Sequence, residues 1–153
     1  MWEIIEPKYW DETLLREFIK MIYFPEMVMY DKMSRVDDHT DRLEIEFKCR
    51  KENWNEPMIE EEKYNALIDR AKLNKRIPVY ICSFPSGVKM FIVDEIDIKF
   101  ECVQDMPRTT QFDNKERITK RVGYLKLDDG ITLLTVDHML YENGRVLELD
   151  EWM

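Results

Sequence analysis

Residues 42–50 alternate apolar and charged side chains, and the charged set contains groups suited to metal-assisted chemistry. The apolar members are Leu43, Ile45, Phe47 and Cys49, and the polar members are Glu44, Glu46, Lys48 and Arg50. A period of two predicts a strand with one buried face. On the opposite face Glu46 and Lys48 point the same way, and Asp37 and Asp38 lie shortly upstream.

These residue types match the needs of phosphodiester hydrolysis. That reaction requires a nucleophile at neutral pH and neutralisation of a growing negative charge, and a bound divalent metal serves both needs. Mg²⁺ prefers oxygen ligands and keeps several waters, so one or two protein carboxylates suffice. Asp37, Glu46 and the main-chain carbonyl of Phe47 are the candidate ligands of Mg²⁺ or Mn²⁺. Lys48 is the candidate to orient the attacking water or to stabilise the transition-state charge.

A non-catalytic interpretation of the same residues remains open. Glu-x-Lys is common on strands, because an exposed strand face favours opposite charges in proximity. The chemical interpretation gains support from context, since a charged face on an interior strand needs a reason. The elements around the strand decide between the two.

The first half of the chain predicts alternating helices and strands. A helix is expected over about 11–22, with Asp11 as its N-cap and an apolar stripe at helical spacing. A second helix is expected over about 59–74, with acids early and bases late. The strand predictions are 27–30, 42–50, 79–84 and 88–93, with a loop at 51–58.

The connection from strand 42–50 through the second helix to strand 79–84 has the size of a crossover between parallel strands. The predicted fold class is therefore α/β (α+β), with a central mixed β-sheet flanked by helices. Beyond residue 96 the pattern predicts strands at 98–103, 122–127 and 131–136, and an irregular basic segment at 106–119. Asn143-Gly144 predicts a hairpin joining 139–142 to 145–149.

Composition predicts one domain over residues 1–153 and an intracellular location. No apolar run approaches the roughly 20 residues that span a bilayer. The first residues contain neither a basic region nor an apolar region of a secretory signal. The 3 cysteines are widely spaced, which predicts buried free thiols in a reducing compartment, the cytoplasm.

Charge is unevenly distributed along the chain. The net charge is −9, which argues against a nonspecific nucleic-acid coat protein. Residues 108–126 nevertheless carry a net charge of +4, between acidic segments at both ends. This arrangement is compatible with a groove for a polyanion.

The order of elements and motifs resembles the PD-(D/E)xK nuclease superfamily. The matching segments are Arg35-Val36-Asp37-Asp38, Ile45-Glu46-Phe47-Lys48, Glu60-Glu61-Glu62-Lys63-Tyr64 and Val79-Tyr80-Ile81. Residues from Pro107 to Lys120 are also similar to small phage-type members. The resemblance covers roughly residues 11–93, and no proline precedes the aspartate as it does in the family motif.

The resemblance implies a restriction-endonuclease-like core over about 11–103, followed by a strand-rich extension over about 104–153. Asp37 is favoured as the metal-binding aspartate, because a hairpin around residues 39–41 would place it opposite the Glu44–Glu46 region. Asp31, Asp38 and Asp41 compete for that role. The family also uses a glutamate of the first helix, for which Glu17 is preferred and Glu12 stands second. Lys63 is a further candidate at the start of the second helix.

The function that this resemblance implies is metal-dependent hydrolysis of DNA by a cytoplasmic nuclease, in the setting of a phage-infected bacterium. Candidate nucleic-acid contacts are Arg50, Lys51, Lys115, Arg117, Lys120 and Arg121. A homodimer is compatible with the sequence, and no membrane partner is expected. The alternative is a non-catalytic binding or regulatory protein on the same fold, which acts on a protein partner or as an acidic mimic of nucleic acid.

Overall fold

The computed structural model of the chain describes residues 6–53, 55–107, 116–136, 141–142 and 145–146. Its helices are α1 (Glu12–Ile22) and α2 (Glu61–Asn74). Its strands are β1 (Val28–Met29), β2 (Asp38–His39), β3 (Leu43–Cys49), β4 (Met58–Glu60), β5 (Ile77–Phe84), β6 (Gly87–Ile92), β7 (Phe100–Pro107), β8 (Arg117–Tyr124), β9 (Ile131–Thr135), β10 (Tyr141–Glu142) and β11 (Arg145–Val146). Single 3-10 turns lie at Pro7–Tyr9, Val93–Glu95 and Leu127–Asp129.

The main sheet has six strands in the order β1-β2-β3-β5-β6-β9. β3 and β5 are parallel and connected through α2, whereas the other neighbouring pairs are antiparallel. A central mixed sheet flanked by helices is therefore confirmed. β3 lies inside this sheet, between the short β2 and the eight-residue β5.

α1 covers one face of the sheet. Its N-cap is Asp11, whose Oδ1 accepts a hydrogen bond from the Leu14 N–H at 2.9 Å, as the sequence predicts. The apolar stripe of the helix is buried against β3, β5 and their neighbours, in a cluster that includes Leu15, Phe18, Ile19, Ile45, Phe47, Val79 and Ile81. The odd-numbered residues of β3 therefore face α1.

α2 covers the other face of the sheet. Leu67 and Ala71 are its buried residues, and Leu67 packs in a second cluster with Tyr80, Cys82 and Phe91. The helix ends at Lys75, which adopts a left-handed conformation with φ 57° and donates its N–H to the carbonyls of the last turn. The even-numbered residues of β3 share this face, because Glu46 and Lys48 lie beside Tyr80 and Cys82 in the parallel register.

A second sheet, ordered β4-β8-β7, corrects two of the sequence-based expectations. Residues 58–60 were expected in a loop or in the helix and instead form β4, because they pair with residues 122–124. Residues 106–119 were expected to be irregular throughout, but β7 extends to Pro107 and β8 begins at Arg117. Both corrections involve partners far away in the chain. The pairing of β10 with β11 confirms the C-terminal hairpin, whereas residues 143–144 lie outside the described residues.

The cysteines differ in exposure. Cys49, Cys82 and Cys102 are free thiols, as expected. Cys82 is buried and Cys49 half-buried, but Cys102 is exposed on β7, an edge strand of the second sheet. The expectation of three buried thiols is therefore wrong for Cys102. Within the described part of the chain, no helix is both long enough and apolar enough to cross a membrane.

Candidate active site

The candidate site lies where β2 ends its pairing with β3. β2 contributes only two residues, with Asp38 opposite Ile45 and His39 opposite Glu44. Beyond this pair the upstream chain leaves β3, and Oδ2 of Asp37 accepts the Phe47 N–H at 2.8 Å. The aspartate side chain thus replaces a backbone partner that the short strand does not supply. This contact fixes Asp37 next to Glu46 and Phe47, as the hairpin argument predicts.

Asp38, the competing aspartate, has a different partner. Its carboxylate is 1% exposed and accepts two hydrogen bonds from Nε of Arg16, at 2.8 and 2.9 Å. The Arg16 guanidinium also lies 5.5 Å from the centre of the Phe47 ring. Asp38 therefore ties β2 to α1, and Asp37 is the aspartate that is directed toward Glu46.

Glu46 is a buried carboxylate with incomplete hydrogen bonding. It is 3% exposed, and its Oε2 has no hydrogen-bond partner within the described structure. Burial, together with hydrogen bonding to and charge repulsion from Asp37, raises its pKa to about 10. A buried carboxylate oxygen without a partner is costly unless a cation or a donor satisfies it.

The main-chain carbonyl of Phe47 is directed toward the same edge. The N–H and C=O of one strand residue point to the same side of the strand. The Leu43 carbonyl accepts from Thr40 of the hairpin, and the Phe47 N–H donates to Asp37. The Phe47 carbonyl therefore faces the region where β2 no longer pairs, beside Asp37.

These oxygens fit a divalent metal of the magnesium type. The two carboxylates and one carbonyl leave several positions to water, which is the coordination that Mg²⁺ prefers. No group of three or more His, Cys, Asp or Glu side chains with metal-binding geometry occurs among residues 6–53, 55–107 and 116–136. The fit therefore depends on the unpartnered Glu46 oxygen and on the main-chain carbonyl, and not on a side-chain cage.

Lys48 follows on the same strand face and is half-buried. Burial lowers the pKa of its ammonium group, and the positive charges of Arg50 and Lys63 lower it further. Glu12 and Glu60 oppose this shift. Lys48 therefore lies among carboxylates and cations on the same strand face as Glu46.

The structure places Glu12 in this cluster and leaves Glu17 outside it. Burial raises the pKa of the half-buried Glu12, and the charge of Asp37 raises it further, against opposing effects from Lys63 and Lys48. Glu17 is exposed, and no contact of its side chain with these groups is seen. The preference for Glu17 over Glu12 thus does not agree with the placement. The rotation of α1 against β3 decides between the two glutamates, and the sequence alone does not specify that rotation.

Lys63 also belongs to the cluster. Its side chain remains exposed, and desolvation works to lower its pKa. The charges of Glu46, Asp37, Glu60 and Glu12 outweigh that effect and raise the pKa of Lys63. The exposed Lys63 side chain therefore carries a positive charge near the carboxylates of the cluster.

The five candidate nucleic-acid contacts that the structure describes do not form one free basic surface. Arg50 donates to the Met58 carbonyl at 2.7 Å, and Lys51 donates to the Trp10 carbonyl at 2.7 Å. The remaining pairs join β8 to acidic side chains: Arg117 to Asp105, Lys120 to Glu60 and Arg121 to Glu61. Lys115 lies outside the described residues.

Comparison with known proteins finds a likeness among solved structures. No protein-family model and no curated protein matches the chain. The chain is similar to a solved structure of Hjc, a Holliday junction resolvase from the archaeal hyperthermophile Archaeoglobus fulgidus. The sequence identity is 15%, the TM-score is 0.49, and the match covers 84% of this chain and 95% of Hjc. Because the identity is so low, the roles assigned below depend on the geometry of this chain alone.

Proposed function

We propose that the protein is a metal-dependent nuclease that hydrolyses DNA phosphodiester bonds at the Asp37–Glu46–Lys48 cluster. The observation that supports it most is the buried Glu46 oxygen without a partner, on a carboxyl group that lies beside Asp37. The topology around it, α1, the β2–β3 hairpin, α2 and β5, also agrees with the family that the sequence resembles.

Each residue has a role that its surroundings support. Asp37, Glu46 and the Phe47 carbonyl would hold Mg²⁺ or Mn²⁺, which supplies Lewis-acid chemistry and an activated water. Lys48 orients the attacking water and balances the negative charge that grows on the phosphate oxygens. Lys63 lies at the opening, where its ammonium contacts a substrate phosphate. Glu12 accepts hydrogen bonds from the water or from Lys48.

The test is cleavage by the full chain with Mg²⁺ or Mn²⁺ on single-stranded, duplex and branched DNA. Lys48→Ala should reduce the rate by about 100- to 10,000-fold, the range of a lost positioned acid–base or charge-stabilising group. Its circular dichroism and unfolding midpoint should stay close to those of the wild type, because Lys48 is only half-buried. If the wild type leaves all three DNA forms intact with either metal, the proposal is wrong.

A non-catalytic function on the same fold is the second candidate. The net charge of −9 favours it, and so does the pairing of Arg117, Lys120 and Arg121 with acids. In that case the cluster would be a charge network that binds no metal. Mn²⁺ binding that depends on Glu46 would exclude this alternative.

A further inference from the structure

The exposed face of β8 carries a row of groups that can bind phosphates. Arg117, Thr119 and Arg121 occupy alternate positions, and all three are exposed. Alternate residues of a strand are about 6.8 Å apart, which is comparable with the spacing of phosphates along an extended nucleic-acid strand. Guanidinium and hydroxyl groups are common donors to phosphate oxygens.

In the free protein, carboxylates hold both guanidinium groups of this row. Nε of Arg117 lies 3.1 Å from Oδ1 of Asp105, and Nε of Arg121 lies 3.0 Å from Oε1 of Glu61. The arginine side chains remain 53% and 52% exposed. Exposed ion pairs of this kind are weak, whereas arginine binds phosphate through paired, charge-assisted hydrogen bonds. A phosphate can therefore displace either carboxylate.

The Arg121–Glu61 pair lies at a cleft of about 760 Å³ between the start of α2 and β8. The lining residues are Glu60, Glu61, Glu62, Asn65, Ile118, Thr119, Lys120 and Arg121. Nζ of Lys120 lies 2.9 Å from Oε1 of Glu60 and is largely covered, so this pair joins β8 to the end of β4, directly before α2. Glu60 also interacts electrostatically with Lys48 and Lys63, so the cleft adjoins the candidate site.

We propose that this cleft binds one strand of nucleic acid, and that a strand phosphate replaces Glu61 as the partner of Arg121. Glu61 thereby restrains binding in the free protein. The cleft has the volume of a small-molecule site, so it accommodates a short stretch of a single strand and not a duplex. This inference rests on the proposed function, because the strand in the cleft would continue from the phosphate at Lys48.

Two charge-matched variants test the restraint. Glu61→Gln and Glu62→Gln each remove one negative charge from the same cleft, but Glu62 has no ion-pair partner among the described residues. The probe is a fluorescein-labelled single-stranded oligothymidylate, and anisotropy is measured on the full chain with EDTA. Glu61→Gln should bind about two- to fivefold more tightly than Glu62→Gln, which corresponds to one exposed ion pair. Its log Kd should also depend more steeply on log salt, by ~0.7.

Arg121→Gln supplies the complementary test. Arg121→Gln should weaken binding of the oligothymidylate. In this background Glu61→Gln and Glu62→Gln should bind with equal affinity, because there is no Arg121 guanidinium for the loss of Glu61 to release. Equal affinities of Glu61→Gln and Glu62→Gln, or no measurable binding by any variant, would overturn the inference. Cleavage measured in parallel separates the two proposals. If the protein cleaves DNA with metal but the cleft variants do not change binding, only the inference about the cleft is wrong. If the cleft variants change binding but no cleavage occurs, only the proposed nuclease function is wrong.

Discussion

Among the residues of the site, Glu46 is the one whose ionised carboxylate is most strongly disfavoured by burial. Its carboxylate is almost fully buried, one oxygen has no partner in the described structure, and Asp37 adds a second carboxylate beside it. A carboxyl whose pKa is raised on folding destabilises the folded state at pH values between the unfolded and the folded pKa. The proposed metal site would therefore lower the stability of the metal-free protein.

Glu46→Gln should stabilise the metal-free protein. At pH 8 with EDTA, the free energy of unfolding should rise on the order of 1–3 kcal/mol, because the amide, unlike the carboxyl, takes up no proton on folding. The gain should shrink as the pH falls and should vanish below ~4.5, where the glutamate of the wild type is protonated in both the folded and the unfolded state. Urea unfolding at several pH values measures this. An unchanged or lower stability of the variant at pH 8 would contradict the account.

Arg16 is predicted to position the site through Asp38. Arg16→Lys removes the planar guanidinium that contacts both Asp38 oxygens, and Asp37 is the adjacent residue. The Mn²⁺ affinity should fall about tenfold, as is common when a group that orients a metal ligand is lost.

The matched control for Arg16→Lys is Arg76→Lys. The Arg76 guanidinium lies 2.7 Å from the buried Glu44 carboxylate on β3. This pair belongs to a separate hydrogen-bond network with Tyr30 and Asn74.

Both arginine variants should lose stability in urea, since each disturbs a buried ion pair. Calorimetry with Mn²⁺ should distinguish them, with the Arg76 variant retaining the affinity of the wild type. Equal losses of metal affinity would mean that Arg16 acts through general stability and not through position.

Among the elements, those with a local signal could be predicted from the sequence. The period-two pattern indicates β3, the apolar stripe and cap of Asp11 indicate α1, and the charge gradient indicates α2. The short hairpin also indicates that Asp37 lies next to β3, and its role as a metal ligand stays a prediction. β4 could not be predicted, because three residues form a strand only when β8 pairs with them from more than 60 positions away. The choice between two glutamates of α1 depended on the rotation of the helix against β3, which the sequence alone does not specify.

The orientation of α1 makes a direct prediction about its two glutamates. Glu12 lies at the capped end of the helix and interacts with Asp37, Lys63 and Lys48, whereas Glu17 is exposed. Glu12→Gln should reduce the rate of Mn²⁺-dependent cleavage about tenfold. Glu17→Gln, which removes the same charge from the same helix, should leave the rate unchanged. Equal rates for the two variants would exclude Glu12 from the site.

For the molecule as a whole, the sequence shows where the basic residues lie along the chain but not which acidic residues they pair with in the fold. The sequence predicts a nucleic-acid contact for the basic residues of segment 108–126, yet Lys120 pairs with Glu60 at the end of β4 and Arg121 pairs with Glu61 at the start of α2, each 60 positions earlier. These pairs arise only when the second sheet packs beside α2. The net charge of −9 therefore coexists with a row of arginines whose partners can be exchanged. Binding of DNA is expected to weaken strongly as the salt concentration rises.

The central claim is that Asp37, Glu46 and the Phe47 carbonyl form a metal site, and calorimetric titration of the full chain with Mn²⁺ tests it most directly. The account predicts that the wild type and Glu17→Gln each bind the metal at one site, and that Glu46→Ala does not bind it. A folded wild-type protein that binds no Mn²⁺, or a Glu46→Ala variant that binds it with unchanged affinity, would contradict the account.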